Sequence, residues 1–236
     1  MRTYLNPFLP ASFPGVLLIC LSAFPAAGQE FHVGLKGGIP ITDYYQRFPD
    51  FIKGDRTSYS SATRRYTVGV IGEWQFAHGL GVEVDAMYHR IGYSGSSFYS
   101  SSASGAFQQY TIAVKGSSWD YPVLAKYRFG RGVVPYAAGG AVFRYIGPVH
   151  ARGVETVGTY VTNTSVTRPI DTGEPPDVRK GFYLGLAAGI GLEVPLGRVR
   201  LSPEFRYTHW LDSAPVSGRP LGIASHQAEF LVGILF

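Results

Sequence analysis

Sulfur chemistry is nearly missing from this sequence. Its 236 residues contain one cysteine, Cys20, and that residue lies in an N-terminal stretch with the character of an export leader. Without a thiol beyond the leader, disulfides, thiolate metal sites and cysteine catalysis are excluded. Charge is scarce as well: Asp, Glu, Lys and Arg make up 16% of the chain, against roughly 25% in ordinary soluble domains. The formal net charge is +5, yet the basic residues are scattered singly, without the clustered patch that phosphate backbones require, so nucleic acid is not expected as a partner. No apolar run of 18 or more residues follows the leader, which excludes a transmembrane helix. Strong helix formers are few.

In their place stand 30 glycines, 16 tyrosines and 15 phenylalanines, a composition suited to close-packed strands with aromatic decoration. The length alone admits one large domain or two small ones. Residues 1–28 read as a cleaved signal peptide: Arg2 supplies the positive start, "GVLLICLSAFPAA" the apolar stretch, and Ala26-Ala27-Gly28 the small-residue cleavage site before Gln29. The alternative, an N-terminal membrane anchor, has an apolar run shorter than the roughly 20 residues a spanning helix needs. Residues 29–236 are then a single domain.

Period-two alternation recurs through that domain. In "RYTVGVIGEWQF", Tyr66, Val68, Val70, Trp74 and Phe76 fall on one side, with Arg65, Thr67, Gly69, Glu73 and Gln75 on the other. "LGVEVDAMYH" repeats the pattern after only "AHG", which is hairpin chemistry. "WDYPVLAKYRF", "VVPYAAGGAVFRY", "FYLGLAAGIGLEV" and "VRLSPEFRYT" follow, and "EFHVGLKGGI" with the closing "HQAEFLVGILF" brings the expected strands to eight. Three links are tight (77–79, 130–132, 195–198) and alternate with four long polar ones near 42–64, 92–117, 147–180 and 211–225. Stretches such as "SGSSFYSSSASGAF" and "RPIDTGEPPD" predict exposed loops there.

The alternation also says which face meets which solvent. The polar faces collect Lys36, Glu73, Glu83, Asp85, Asp120, Lys126, Arg128, Arg144, Glu193, Arg200, Glu204, Arg206 and Glu229, acids and bases in near balance, while the apolar faces carry almost no charge. A charge facing lipid at mid-membrane costs about 2–4 kcal/mol, so charges inside and lipid outside is the consistent arrangement. Aromatics form two girdles: Trp74, Phe76, Tyr127, Phe129 and Phe236 at the end of the tight turns, and Tyr66, Tyr88, Trp119, Tyr121, Phe143, Tyr145 and Phe182 at the other. The fold class expected is all-β, an eight-stranded antiparallel up-and-down transmembrane β-barrel, with a soluble lipocalin-like barrel as the alternative. An interior of that size is just filled by side chains, so the thirteen ionisable residues are expected to pair into a network that closes the lumen. Gly and Ala of "GLAAGIG" would make room there for long Arg and Lys side chains.

With "WDYPVLAKYRF", "VVPYAAGGAVFRYIG" and "AEFLVGILF" in place, the chain resembles the small outer-membrane β-barrel domain family of Gram-negative bacteria. That resemblance implies residence in the outer membrane, contact with its lipid and lipopolysaccharide, termini and short turns on the periplasmic side, and long extracellular loops. It also implies that the terminal strand, through Phe230, Val232, Ile234 and Phe236, is the signal by which the barrel-assembly machinery inserts the protein. The function expected is structural or surface-interacting and non-enzymatic, acting as a monomer without cofactor or metal, with an extracellular ligand open to the loops. Two alternatives stand beside it: a narrow pore for small solutes, and a lipid A hydrolase built on His209, Ser213 and Asp212, although Trp210 intervenes where such enzymes place Ser next to His. The histidines His32, His78, His89, His150 and His226 show no i,i+2 or i,i+4 spacing, so no metal site is expected.

Overall fold

A computed structural model of the chain describes residues 29–47, 56–61, 66–130, 132–172, 181–211 and 221–236. The leader, and with it the expected cleavage site, lies outside the described residues.

Twelve strands occur among them: β1 (Glu30–Pro40), β2 (Tyr45–Arg47), β3 (Arg56–Ser61), β4 (Thr67–Gln75), β5 (Leu80–Ser100), β6 (Ala106–Arg128), β7 (Val134–Thr159), β8 (Thr164–Thr172), β9 (Gly181–Leu196), β10 (Val199–Trp210), β11 (Leu221–Ile223) and β12 (His226–Leu235). Eight of these, β1, β4, β5, β6, β7, β9, β10 and β12, pair antiparallel with their neighbours in chain order, and β12 closes the ring on β1. Closure leaves the ring no free edge, which a sheet in lipid requires because every backbone polar group must be satisfied internally. Tight connections follow β4, β6 and β9, and they share one end of the barrel with Gln29 and Phe236. We call this the turn end and the opposite one the loop end.

Inside and outside follow the sequence alternation. On β6, Asp120, Leu124 and Lys126 are buried while Trp119, Tyr121, Val123 and Tyr127 are exposed; β12 buries Gln227, Leu231 and Leu235 and exposes Phe230, Ile234 and Phe236. The outer wall between the girdles is apolar, with Val68, Val70, Leu186, Ile190 and Phe205 among its exposed residues. Trp119 and Phe129 are ten residues apart on one wall strand, which at about 3.3 Å per residue and a tilt of roughly 40° gives a height of about 25 Å, the thickness of the apolar band such barrels need.

Two expectations need correction. The connections at 92–117 and 147–180 are for the most part not loops: β5, β6 and β7 run on for 21, 23 and 26 residues, about twice the roughly 9–11 that crossing requires. Their outer halves, joined by β3 on β5 and β8 on β7, form a five-stranded sheet that stands above the barrel at its loop end. Ser- and Gly-rich composition reads as loop, but here the ladder partners supply what side chains do not. The connection at 42–64 also departs from an exposed loop at its start, where Tyr44 is buried and β2 pairs with β11 across the mouth of the barrel.

One irregularity decides how the upper sheet is oriented. Between the pairs Ser118↔Ile146 and Gly116↔Val149, two residues of β7, Gly147 and Pro148, oppose the single Ser117 of β6. Such a bulge reverses the alternation of the strand that carries it. Below it, the even residues Val142, Arg144 and Ile146 point inward; above it, the odd residues Val149 and Ala151 do, and His150 and Arg152 turn out.

Candidate functional site: the barrel interior

The interior side chains lie in strata. At the turn end, Arg128 donates to Glu73 and, through Nε at 2.8 Å, to Glu193, while Arg200 reaches Glu193 at 3.1 Å and lies 2.9 Å from His32. Higher up, Lys126 Nζ is 2.7 Å from Glu73, 2.8 Å from Glu193 and 3.2 Å from Glu83. Lys36 Nζ is within 2.5 Å of Glu83, 3.2 Å of Asp85 and 3.1 Å of Glu204. Arg206 donates from all three nitrogens, to Glu204 at 2.6 Å, Asp85 at 2.9 Å and Glu83 at 2.8 Å. These groups come from six different strands, and apart from Arg206–Glu204 and Arg200–Glu193 the partners lie far apart in sequence. Each cation touches at least two carboxylates, which is what allows so many ions to be taken from water together.

Above this ladder, Arg144 makes a bidentate pair with Asp120 (2.7 and 2.6 Å) and donates to Gln227 at 2.9 Å. Its guanidinium is held between the rings of Tyr44 (4.1 Å) and Trp210 (3.8 Å), and stacking of this kind is where Arg and Lys are not interchangeable. His89 sits 3.2 Å from Asp120 and 3.7 Å from Glu229, and Thr67 bonds both His89 and Glu229. An apolar stratum then closes the mouth: Ile91, Tyr93, Val114, Ile146, Val149 and Ala151 pack in one cluster with Tyr44, and Tyr45 lies edge-on to Tyr93 at 5.2 Å.

All thirteen ionisable residues singled out from the sequence therefore point into the lumen and are brought together. Lys36, Glu73, Glu83, Asp85, Lys126, Arg144 and Glu204 are at most 1% exposed, and Arg128, Arg200 and Glu229 are half-buried. The sequence reading missed Tyr44, Trp210, Tyr136 and the apolar stratum. Trp210 was the detectable one, since it continues the inward parity of Glu204, Arg206 and Thr208. It also misassigned the room left by β9: a Cβ on Gly191 would meet the Tyr136 hydroxyl at 2.5 Å and one on Gly189 the Glu204 carboxylate at 2.8 Å, so that space is occupied by Tyr136 and Glu204 rather than by Arg or Lys.

Outside the lumen, His209 and His226 face each other across the β10–β12 pair, with ring centroids 4.8 Å apart and Tyr207 bonded to His226. Sequence spacing carries no signal for this pair, because cross-strand neighbours have no fixed separation along the chain. Ser213 and Asp212, the proposed partners of His209, lie outside the described residues. In the upper sheet, partial burial and the neighbouring Glu155 carboxylate push the Tyr110 phenol above its usual range.

A closed eight-stranded barrel with an apolar outer wall, aromatic bands at two heights and an ion-paired interior is an integral membrane barrel of the outer-membrane class. The family described as outer membrane protein beta-barrel domain matches residues 24–213, and the chain belongs to it; its place is the cell outer membrane, among lipid and lipopolysaccharide. No curated protein matches the chain. Among solved structures it is similar to OprG of Pseudomonas aeruginosa, at 14% identity over 89% of this chain and 95% of that one, TM-score 0.45. Neisserial surface protein A aligns at 14% identity over 88% and 97%, TM-score 0.38. Ail of Yersinia pestis, solved with the heparin analogue sucrose octasulfate, aligns at 13% identity over 88% and 99%, TM-score 0.34.

Proposed function

We propose that this barrel is a non-enzymatic, closed-lumen scaffold that presents its upper sheet at the cell surface for interaction. The turn end, with Phe236, faces the periplasm, and the loop end faces the exterior. The observation that carries this proposal is the interior itself. Lys36, Glu83, Asp85 and Glu204 have side chains with no exposed surface, and Tyr44, Trp210 and the apolar stratum stop the mouth above them. A path for ions through such a lumen would have to break several pairs at once, each held in low dielectric.

The upper sheet supports the interaction half of the proposal. It adds area that membrane crossing does not need, and at its tip Phe98 and Phe107 stack at 6.1 Å while Tyr160 lies 4.8 Å from Phe107. Tyr160 is exposed and Phe98 and Phe107 are half-buried, and accessible aromatics beside hydroxyl-rich strands are features of binding surfaces. The outward face of β12, with Phe230, Val232, Ile234 and Phe236, is the insertion signal in this proposal, and the barrel-assembly machinery its transient partner.

Single-channel recording tests the proposal. Folded protein in planar bilayers should give no steady discrete openings, while removal of the upper sheet should abolish surface binding and leave the membrane unpermeabilised. Steady openings in the intact protein would refute the closed lumen and favour the pore.

A further inference from the structure

The bulge at Gly147–Pro148 has a consequence on the outer wall as well as inside. By turning β7 over, it places His150 and Arg152 on the outward face. There His150 stands directly opposite Lys115 of β6, and Lys115 stands opposite Gly92 of β5. Arg90 and Arg152 occupy the diagonals, two residues away from Lys115's partners on the same face: Arg90 is paired with Ser117, and Arg152 with Ala113. Directly opposed side chains have Cβ atoms about 5 Å apart and diagonal ones roughly 7–8 Å, and like charges so placed repel unless an anion lies between them. Lys115 and His150 are exposed and Arg90 is half-buried. Arg152 is paired at 3.5 Å with Asp171, which is the one acid among the described residues that this outward patch holds.

Height narrows what the anion is. Tyr88 and Trp119, in edge-on contact at 5.4 Å, belong to the upper girdle that marks the edge of the hydrocarbon. Lys115 is four residues beyond Trp119 on the same face, about 13 Å along the strand and roughly 10 Å higher at the strand tilt. In the outer leaflet that level is occupied by the phosphates and first sugars of lipopolysaccharide.

We propose that Arg90, Lys115 and His150, with Arg152 at their edge, form a binding site for the phosphate groups of lipid A on the outer wall of β5–β6–β7. The bulge is the device that builds it. With regular alternation, His150 and Arg152 would enter the apolar stratum, where an unpaired charge is costly, and Val149 and Ala151 would face the headgroups. The site rests on the orientation proposed above, with the loop end outside.

The test uses the full-length protein purified from outer membranes and titrated in mixed micelles with bisphosphorylated lipid A or its dephosphorylated form. The triple variant Arg90→Gln/Lys115→Gln/His150→Gln should bind bisphosphorylated lipid A at least tenfold more weakly, and the unaltered protein should discriminate against the dephosphorylated form by a similar factor. Lys115→Gln alone, at an exposed position, should lose about threefold and provides the readout should the triple variant fail to fold. Arg168→Gln, on the opposite face of the upper sheet, should bind as the unaltered protein does. Equal affinity of the Gln variants, equal loss in the Arg168 control, or displacement by millimolar inorganic phosphate would each overturn the assignment. Labelling of Ser102→Cys on intact cells with an impermeant reagent separates the two levels. A labelled cell with unaltered lipid A binding defeats the site alone, whereas no labelling defeats the orientation and the site together.

Discussion

At the scale of single residues, Lys36 is, with Lys126 and Arg206, one of the interior bases that each hold three carboxylates. Its ammonium is fully buried with three carboxylates within 3.2 Å. Lys36→Met keeps the shape but leaves Glu83, Asp85 and Glu204 facing one another with only Arg206 and Lys126 to compensate. The expected outcome is a loss of about 3–5 kcal/mol, the range for breaking a buried pair from one side, read as a lower urea midpoint for unfolding from detergent micelles. Arg144 differs from Lys36 in that its planar group is used on both faces and both edges. Arg144→Lys keeps the charge and loses the bidentate bond and the stacking, so it should also destabilise, while an exposed wall substitution such as Val123→Leu should be neutral by the same measurement. Phe236 bears on assembly rather than stability. If the terminal strand is the insertion signal, Phe236→Ala should slow appearance of the heat-modifiable form in cells and leave detergent refolding unchanged.

Among the elements, β7 carries the most consequence. Its lower half builds the wall, and its upper half builds the projecting sheet with β6 and β8. Inserting one residue between Pro148 and Val149 shifts β7 by one position beyond the bulge, which sends Val149 and Ala151 out and forces His150 and Arg152 inward. The outer halves of β6, β7 and β8 should then become sensitive to protease added from the loop end, while the barrel below Ile146, held by β9 and the lower part of β6, should remain as a protected fragment. Protection of the whole chain would mean that the upper sheet tolerates either face and that its orientation is not set by the bulge. The prolines of the wall show how much irregularity an element tolerates. Pro203 pairs with β12, but no β9 partner is found for it or for Ser202, and Pro122 likewise lies in a gap of the β5–β6 ladder. A missing N–H explains each gap, and the closed ring holds the strands in register on either side.

For the whole molecule, closure and filling are a single physical event. The seven carboxylates and six bases of the network are contributed by all eight wall strands, and bridges such as Lys36–Glu204 and Arg206–Asp85 join strands that are not neighbours in the ring, so the network is complete only when the ring closes. Unfolding should therefore be cooperative across the wall, with the gel-shift and tryptophan-fluorescence transitions in urea coinciding within error for the barrel. A separate early transition should be confined to the upper sheet, which lacks the network.

The alternation of side chains, the balance of charge on one face and the girdles were all legible from residues 29–236, because a strand's two faces are fixed by the geometry of its own backbone. The thirteen lumen residues were legible for the same reason, since parity alone sends Lys36, Glu83 or Arg206 inward. What parity could not supply was any event that changes it or any contact made across the ring. One extra residue at Gly147–Pro148 inverted everything beyond it, and its signal, a Gly-Pro step, is shared with ordinary turns. Tyr44 reached the lumen from a connection, His209 met His226 through register, and the Ser-rich stretches became strand because neighbours offered them a ladder. The sequence by itself determined a membrane barrel with its charges inside, since local geometry and solvent preference require nothing further. Only the tertiary structure decided which cation meets which carboxylate, where the lumen is stopped and which bases gather on the outer wall, because those depend on register between strands far apart in the chain.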